Sequence, residues 1–456
     1  MSGFSAVLGN PPFLGGQKLT GTYGNPFRDF LIQTIANGTK GSADLCAYFF
    51  LVSFDILASE GRTGLVATNT ISQGVTRNVG LAQIIADNGN ITFAMVDVPW
   101  SGDAAVVVNL VTIKNGLLVK NAILNGIEVN SINEYLVKPG AVVGDPYTQS
   151  SNLEGCFQGS TVVGDGFVLS EQKANQLISI DERNKEVIFK YVTGKDANSS
   201  PDGIASRWII NFFDWPKSKA QKYSEPWNIV EQIVKPFRQK KVPTNSTAKK
   251  RFEEYWIYGA SGKKLYSNLM EKDSVLIMAR VSKTVKPIKT TAHQVFSDAC
   301  VVFPESNYNF FGILTSDFHY LWTMKYASSL KGDTRYTPRD VFETFPRPEY
   351  TESVEILGRE LNKYRASLMI ENDEGLTKTY NKIHNPDILD SGIQKLRELH
   401  RDLDISVRNA YGWSDLKLGH GFHDTKQGIR WTIEPSAQRE VLDRLLSLNH
   451  LKFHEE

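Results

Sequence analysis

Near its amino end the chain reads Asn10-Pro11-Pro12-Phe13, and these residue types suit one task. The Asn10 amide oxygen and the Pro11 carbonyl stand side by side as hydrogen-bond acceptors. A prolyl nitrogen has no N–H and its φ is locked, so the carbonyls of a Pro-Pro step stay free on a stiff backbone. Two adjacent acceptors can take both hydrogens of an exocyclic amino group while the Phe13 ring stacks on the base that carries it. Such a nitrogen is a poor nucleophile as long as its lone pair is delocalised into the base. Drawing both hydrogens towards fixed acceptors shifts it towards tetrahedral geometry and frees the lone pair, with no covalent enzyme intermediate.

A strand must hold this loop. Phe4, Ala6, Val7 and Leu8 form a short apolar run of the buried-strand type, which Gly9 and the prolines stop. The loop then lies at the carboxyl end of a strand, where open α/β sheets hold their ligands. Residues 17 to 42, rich in Gly, Thr and Asn, predict a mobile loop with a short helix near Arg28 to Ala36. Within it a second Gly24-Asn25-Pro26-Phe27 has one proline and no apolar strand before it, and reads as turn chemistry. Leu45, Phe49, Val52 and Ile56 recur at helical spacing over Asp44 to Leu57, and Glu60-Gly61-Arg62 ends that run. Thr63 to Thr68 reads as a strand, with Asn69-Thr70-Ile71-Ser72 as a polar loop at its carboxyl end. Arg77 to Asp87 predicts a helix, and Ile91 to Asp97 and Ala105 to Ile113 predict strands around Pro99-Trp100-Ser101-Gly102. The alternation implies a doubly wound α/β sheet closing with an antiparallel hairpin.

A length of 456 residues predicts two or three domains. With 41% apolar and 22% charged residues the chain has ample core. A net charge of +1 means that any basic surface is a local patch. Cys46, Cys156 and Cys300 are far apart and lack metal-ligand spacing, which predicts reduced intracellular thiols. No apolar segment approaches membrane-spanning length and the first residues lack a signal-peptide pattern, so a cytoplasmic protein with no membrane partner is expected.

Val-Gly and Gly-Asp steps between 115 and 170 predict a linker, with Gly164-Asp165-Gly166 as a hairpin turn. Further on, Lys235, Arg238, Lys240, Lys241, Lys249, Lys250 and Arg251 occur with no acid before Glu253. Such a run is either a solvated loop or a phosphate-neutralising patch. Interleaved Trp208, Trp215, Trp227, Tyr255 and Trp256 favour the second, and the strand VLIMARVSKT that follows offers Arg280 and Lys283 as candidate base readers. His319 reads as a packing or hydrogen-bonding side chain. Beyond Tyr350, apolar steps of three and four over Ser353 to Glu371 and Ile393 to Ala410 predict helices. His384, His400, His420, His423, His450 and His454 fit no metal-ligand pattern, and are expected as helix-surface residues.

These segments, in order, resemble the MmeI-like single-chain restriction-modification enzymes of types IIG and IIL. GNPPFLGG, ADLCAYFF, GLVATNTISQG and VPWSGDAAVVVNLVTI look like the family's successive methyltransferase motifs. NFFGILTSDFHYLW and RYTPRDVFETFPRPE are similar to its target recognition domain, and GLTKTYNKIHNPD, LRELHRDLDISVRNAYGW and REVLDRLLSLNHLKFHEE to its C-terminal helices. The resemblance implies a partial class I methyltransferase (Rossmann-like) sheet over 1–125, a linker over 126–170, an α+β target recognition domain over 171–348 and a C-terminal helical segment over 349–456. It implies site-specific adenine-N6 methylation of double-stranded DNA in a restriction-modification or phage-defence system, with Asn10, Pro11, Pro12 and Phe13 as the catalytic loop.

In that family the S-adenosylmethionine motif and the nuclease lie upstream of the NPPF-type loop. The resemblance therefore implies a cofactor site completed by residues not in this chain, supplied by a missing N-terminal methyltransferase half on the same gene product or a separate chain. An unpaired sheet edge and an exposed apolar face should follow. Cytosine C5 methylation is excluded, because C5 enzymes carry their thiol in a Pro-Cys step and here Cys46 follows Leu45, Cys156 follows Gly155 and Cys300 follows Ala299. Cytosine N4 stays open. The alternative is a DNA-sequence specificity module with an inactive methyltransferase remnant.

Overall fold

A computed structural model describes residues 3–100, 107–116, 121–138, 142–201, 204–240, 242–330, 333–425 and 427–455. The chain divides into two compact units, Met1–Gly144 and Asp145–Glu456.

The first unit is built on a six-stranded sheet of β1 (Phe4–Gly9), β2 (Leu57–Thr68), β3 (Gly89–Pro99), β4 (Val107–Asn115), β5 (Ala122–Leu124) and β6 (Ile127–Val129), in the order β1-β2-β4-β3-β5-β6. β1 runs parallel to β2 and β3 parallel to β5, and the other neighbours are antiparallel. The expected closing hairpin is the β3–β4 pair. Along β2, Thr63, Leu65 and Ala67 are buried in alternation, the period of a strand with one face on a core. That core is completed by α2 (Leu45–Asp55), whose Leu45, Ala47, Phe50 and Phe54 are buried with Ile91, Ala94, Val111 and Ile113.

Four local expectations change. Residues 17 to 42 hold a helix, α1 (Gly16–Phe30), continued by a π-type turn over Leu31–Ile35, because Leu19, Leu31 and Ile32 have core to bury against. The second Gly-Asn-Pro-Phe is a kink inside α1, where Gly24 sits at φ 81. Glu60-Gly61-Arg62 lies within β2 and not at a helix end, and the β1–β2 register shifts beside it, between Phe4 and Ala6. The helix expected over Arg77 to Asp87 is two, α3 (Gly74–Val79) and α4 (Leu81–Ala86), divided at Gly80. Ser101, Gly102 and Ala105 lie outside the described residues.

β1 is the edge of the sheet order and buries little. Phe4 is 62% and Leu8 84% exposed. α2 also turns a stripe outward, with Phe49, Val52 and Ile56 exposed.

The second unit has two four-stranded sheets formed from β7 (Phe157–Gln158), β8 (Val168–Leu169), β9 (Ile188–Val192), β10 (Arg207–Ile210), β11 (Ser274–Ala279), β12 (Ile288–Thr291), β13 (Val295–Phe296) and β14 (Cys300–Phe303). Their orders are β13-β9-β10-β8 and β12-β11-β14-β7. The stretch expected as linker thus supplies β6, β7 and β8. Helix α5 (Glu171–Ile180) follows β8, and α6 (Gly194–Ser199) follows β9. Phe167, Ile209, Phe212, Trp227, Tyr255 and Tyr258 share one core, against which Trp208, Trp215 and Trp256 pack. The interleaved aromatic rings are therefore mainly core.

The C-terminal helices belong to this same unit. Arg365 on the helix Glu352–Glu371 is buried and donates to the Pro287 carbonyl at 2.6 Å. Asp404 on the helix Ser391–Ala410 accepts from the Asp317 amide at 2.8 Å. Asn449 on the helix Pro435–Glu455 accepts from the Tyr147 amide at 2.8 Å and donates to the Thr344 carbonyl at 2.6 Å. The expected surface histidines are partly internal: His400 is buried against the Tyr380 hydroxyl at 2.9 Å, His420 lies 3.0 Å from the Asp404 carboxylate, and His384 accepts from the Trp431 amide at 3.2 Å. Burial in a helical layer, invisible in their spacing, is what moves them. His319 is buried, as expected of a packing residue.

Candidate methyltransferase loop and recognition surface

β1 ends at Gly9, and Asn10 to Gly15 form an extended loop that enters α1. Pro11 is buried and fixes the bend, while Asn10, Pro12 and Phe13 are exposed, Phe13 at 36%. The loop is tied from behind. The Leu14 carbonyl accepts from the Leu45 amide at 2.9 Å, and a Cβ on Gly16 would stand 2.2 Å from the Ser42 carbonyl, so only glycine permits this approach. Asp44 caps α2 by accepting from the Cys46 amide at 3.0 Å.

Because β1 and β2 are parallel, with Gly9 opposite Leu65, their carboxyl ends open on the same end of the sheet. There Thr68 leads into a 3-10 turn over Asn69–Ser72, and the Thr68 and Thr70 hydroxyls lie 2.7 Å apart. Asn10 and this hydroxyl-rich turn form the candidate site. The sequence marked the turn only as a polar loop at a strand's carboxyl end.

The thiols are out of play. All three are buried, and burial pushes Cys46 and Cys300 up to about 12 and also raises Cys156. A protonated thiol is no nucleophile near neutral pH.

The basic candidates lie in the second unit and separate into two groups. Arg238 is a strut: its Nε donates to the Val163 carbonyl at 3.0 Å and its Nη1 to the Ile257 carbonyl at 2.5 Å, and burial followed by the nearby Arg251 lowers it to about 10. Lys235 pairs with Glu231 and lies 5.3 Å from the Tyr255 ring centroid. Arg251 is half-buried. Lys240, Lys249, Lys250 and Lys283 are exposed, and Arg280 is half-buried. Lys249 and Lys250 face Glu253 at 3.9 Å and Glu254 at 3.8 Å, loose pairs that leave them open to phosphate. Lys241 lies outside the described residues. Among the described residues no cluster of three His, Cys, Asp or Glu could hold a metal ion, and no helix is long and apolar enough to cross a membrane.

A mixed α/β sheet with a proline-stiffened acceptor loop at the end of its edge strand, joined to a second unit of small sheets and helices, has the architecture of a methyltransferase domain followed by a recognition domain. Residues 4–124 match the family described as MmeI, DNA-methyltransferase domain, and residues 138–349 that described as MmeI, target recognition domain. Together these take in well over half of the sequence, and the chain belongs to the MmeI-like restriction-modification family. It is similar to the structure of the type IIL restriction-modification enzyme MmeI in complex with DNA, at 18% identity and a TM-score of 0.54, covering 98% of this chain and 57% of that one. The chain thus spans little more than half the length of that structure, and the likeness is one of fold. The type IIG restriction endonuclease BpuSI is similar at 10% identity and a TM-score of 0.34, over 90% of this chain and 54% of that one. No curated protein matches the chain.

Proposed function

We propose that the chain is the catalytic-loop and target-recognition part of a DNA methyltransferase that methylates the N6 amino group of an adenine turned out of the duplex. The Asn10 side-chain oxygen and the Pro11 carbonyl accept the two amino hydrogens, and Phe13 stacks on the base. A base inside the stack cannot reach such a loop, so eversion is required. The exposed cations of the second unit neutralise phosphates and hold the duplex in register.

The residues around the loop fit an amino group better than a whole cofactor. Asn10, Thr68 and Thr70 offer oxygens at the carboxyl ends of two parallel strands, whereas the outer side of β1 is open and apolar. S-adenosylmethionine supplies the methyl group when bound. Its pocket is completed by a further strand of the methyltransferase half, lying along β1 and covering Phe4 and Leu8. Parallel pairing through main-chain hydrogen bonds with alternate side chains in pockets is the ordinary way to extend such an edge.

The observation that carries this reading is the placement of the loop: Pro11 is buried, with Asn10 and Phe13 exposed at the ligand-binding end of the sheet. In the assembled enzyme Asn10→Ala should lower methyl transfer by about 100-fold, the scale of losing one oriented polar partner of a developing charge, with DNA affinity nearly unchanged. Undiminished methylation would overturn the assignment. Tight, sequence-specific binding without methylation in the unaltered enzyme would favour a specificity module with an inactive methyltransferase remnant.

A further inference from the structure

A cleft of about 680 Å³ opens in the second unit, walled by α6, the end of β11 and the start of the helix Leu376–Ile383. The three walls are packed closely: a Cβ on Gly375, the residue before that helix, would lie 2.3 Å from the Ser199 backbone. Each wall contributes a cation, Lys195 from α6, Arg280 from the residue after β11 and Lys378 from the helix. Asp373 is the one carboxylate among the described residues that line it. Lys195 and Lys378 are exposed.

Arg280 is the unusual member. Its backbone is fully used, the amide donating to the Ala299 carbonyl and the carbonyl accepting from the Tyr336 amide, both at 2.8 Å. Its side-chain Nε is buried with no partner among the described residues. Arg335, on the segment bridged to Val281, also has a buried Nε with no such partner. Burial and then the charge of Arg335 hold the Arg280 guanidinium below its ordinary pKa, with Asp298 opposing both. Unsatisfied buried donors and two neighbouring like charges are unfavourable alone, and an anion carrying several acceptors relieves both.

We propose that this cleft binds a phosphate of the DNA backbone, with Lys195, Arg280 and Lys378 as its donors. Lysine is a compact point charge on a flexible stem, and two of them beside an arginine suit the concentrated charge and several acceptors of a phosphate; Arg280, expected from the sequence as a base reader, is here a phosphate donor. Bridging the recognition sheets and a C-terminal helix, the contact fixes how the second unit sits on the duplex. The inference rests on the DNA-binding role proposed above.

The test is the salt dependence of duplex binding by the complete enzyme. Each phosphate contact adds about 0.9 to the slope of log affinity against log salt. Lys195→Ala combined with Lys378→Ala should lower that slope by about 0.9, the share of one phosphate, and weaken specific and unrelated duplexes alike. Lys195→Arg with Lys378→Arg should restore it. An unchanged slope in a variant that melts like the parent overturns the proposal while the DNA-binding reading stands. So does an unchanged slope accompanied by loss of a melting shift from inorganic phosphate, which marks a free-anion site. No duplex binding by the unaltered enzyme would instead sink the DNA-binding reading itself.

Discussion

His319 lies with Nδ1 3.0 Å from the Leu314 carbonyl and Nε2 3.0 Å from the Tyr336 hydroxyl. A carbonyl only accepts, so Nδ1 carries the proton and Nε2 receives the hydroxyl, which is a neutral imidazole. His400 is alike: Arg365 donates to the Tyr380 oxygen at 3.4 Å, and that hydroxyl turns its hydrogen to His400 Nε2. His384 accepts from the Trp431 amide. Burial lowers His319 and His384 from 6.5 to about 3 and His400 well below 6.5. The sign follows directly. The unfolded chain takes up protons below about 6.5 that the folded one refuses, so this contribution to stability is whole above that pH and is lost as pH falls. Denaturant unfolding at pH 7 and pH 5 should show a loss of about 2 kcal/mol for each such histidine, at about 1.4 kcal/mol per pH unit below about 6.5, and His319→Gln should remove one share. A second unit equally stable at both pH values would contradict the assignment. Only the burial of His319 was legible in the sequence, because the partners that fix these rings come from other elements. The Asn10 loop was legible because its stiffness is carried by the prolines beside it.

At the scale of elements, β1 is the case where local pattern and structure part in an informative way. Its apolar residues predicted a buried strand, and the strand formed, yet Phe4 and Leu8 remain exposed in the present chain. Exposed to this degree, they contribute little to the stability of the first unit itself. Phe4→Ser with Leu8→Ser should shift the isolated chain's stability by no more than about 0.5 kcal/mol, as for other surface changes. The same pair should weaken docking of the further methyltransferase strand proposed to lie along β1 by about 3 kcal/mol or more, at roughly 1.5–3 kcal/mol per apolar side chain buried, read as a rise in Kd of about 100-fold. An unaltered Kd would contradict the strand pairing proposed along β1. Other elements were misread for identifiable reasons. Residues 17 to 42 looked like loop because Gly, Thr and Asn outnumber apolar residues there, but Leu19, Leu31 and Ile32 suffice to seat a helix once a core exists. Arg238 reads as a free cation in its local run, whereas the Val163 and Ile257 carbonyls, distant in sequence, hold it.

Across the whole molecule the order of segments was readable, since several spaced motifs fall in one family's sequence, while the arrangement of 145–456 as a single compact unit was not. That unit is joined by contacts between residues some hundreds apart in sequence, such as Tyr147 with Asn449, which no local pattern announces. A net charge of +1 leaves DNA binding to local cation groups, consistent with exposed lysines on the helix Ser246–Glu253 and in the cleft beside Arg280. The decisive point of the chemistry is the atom that receives the methyl group. Duplex DNA treated with the assembled enzyme and labelled S-adenosylmethionine, then digested to nucleosides and resolved by mass, should yield N6-methyladenine, and Asn10→Ala should lower the label about 100-fold. Label on cytosine C5, or N6-methyladenine undiminished in Asn10→Ala, would contradict it.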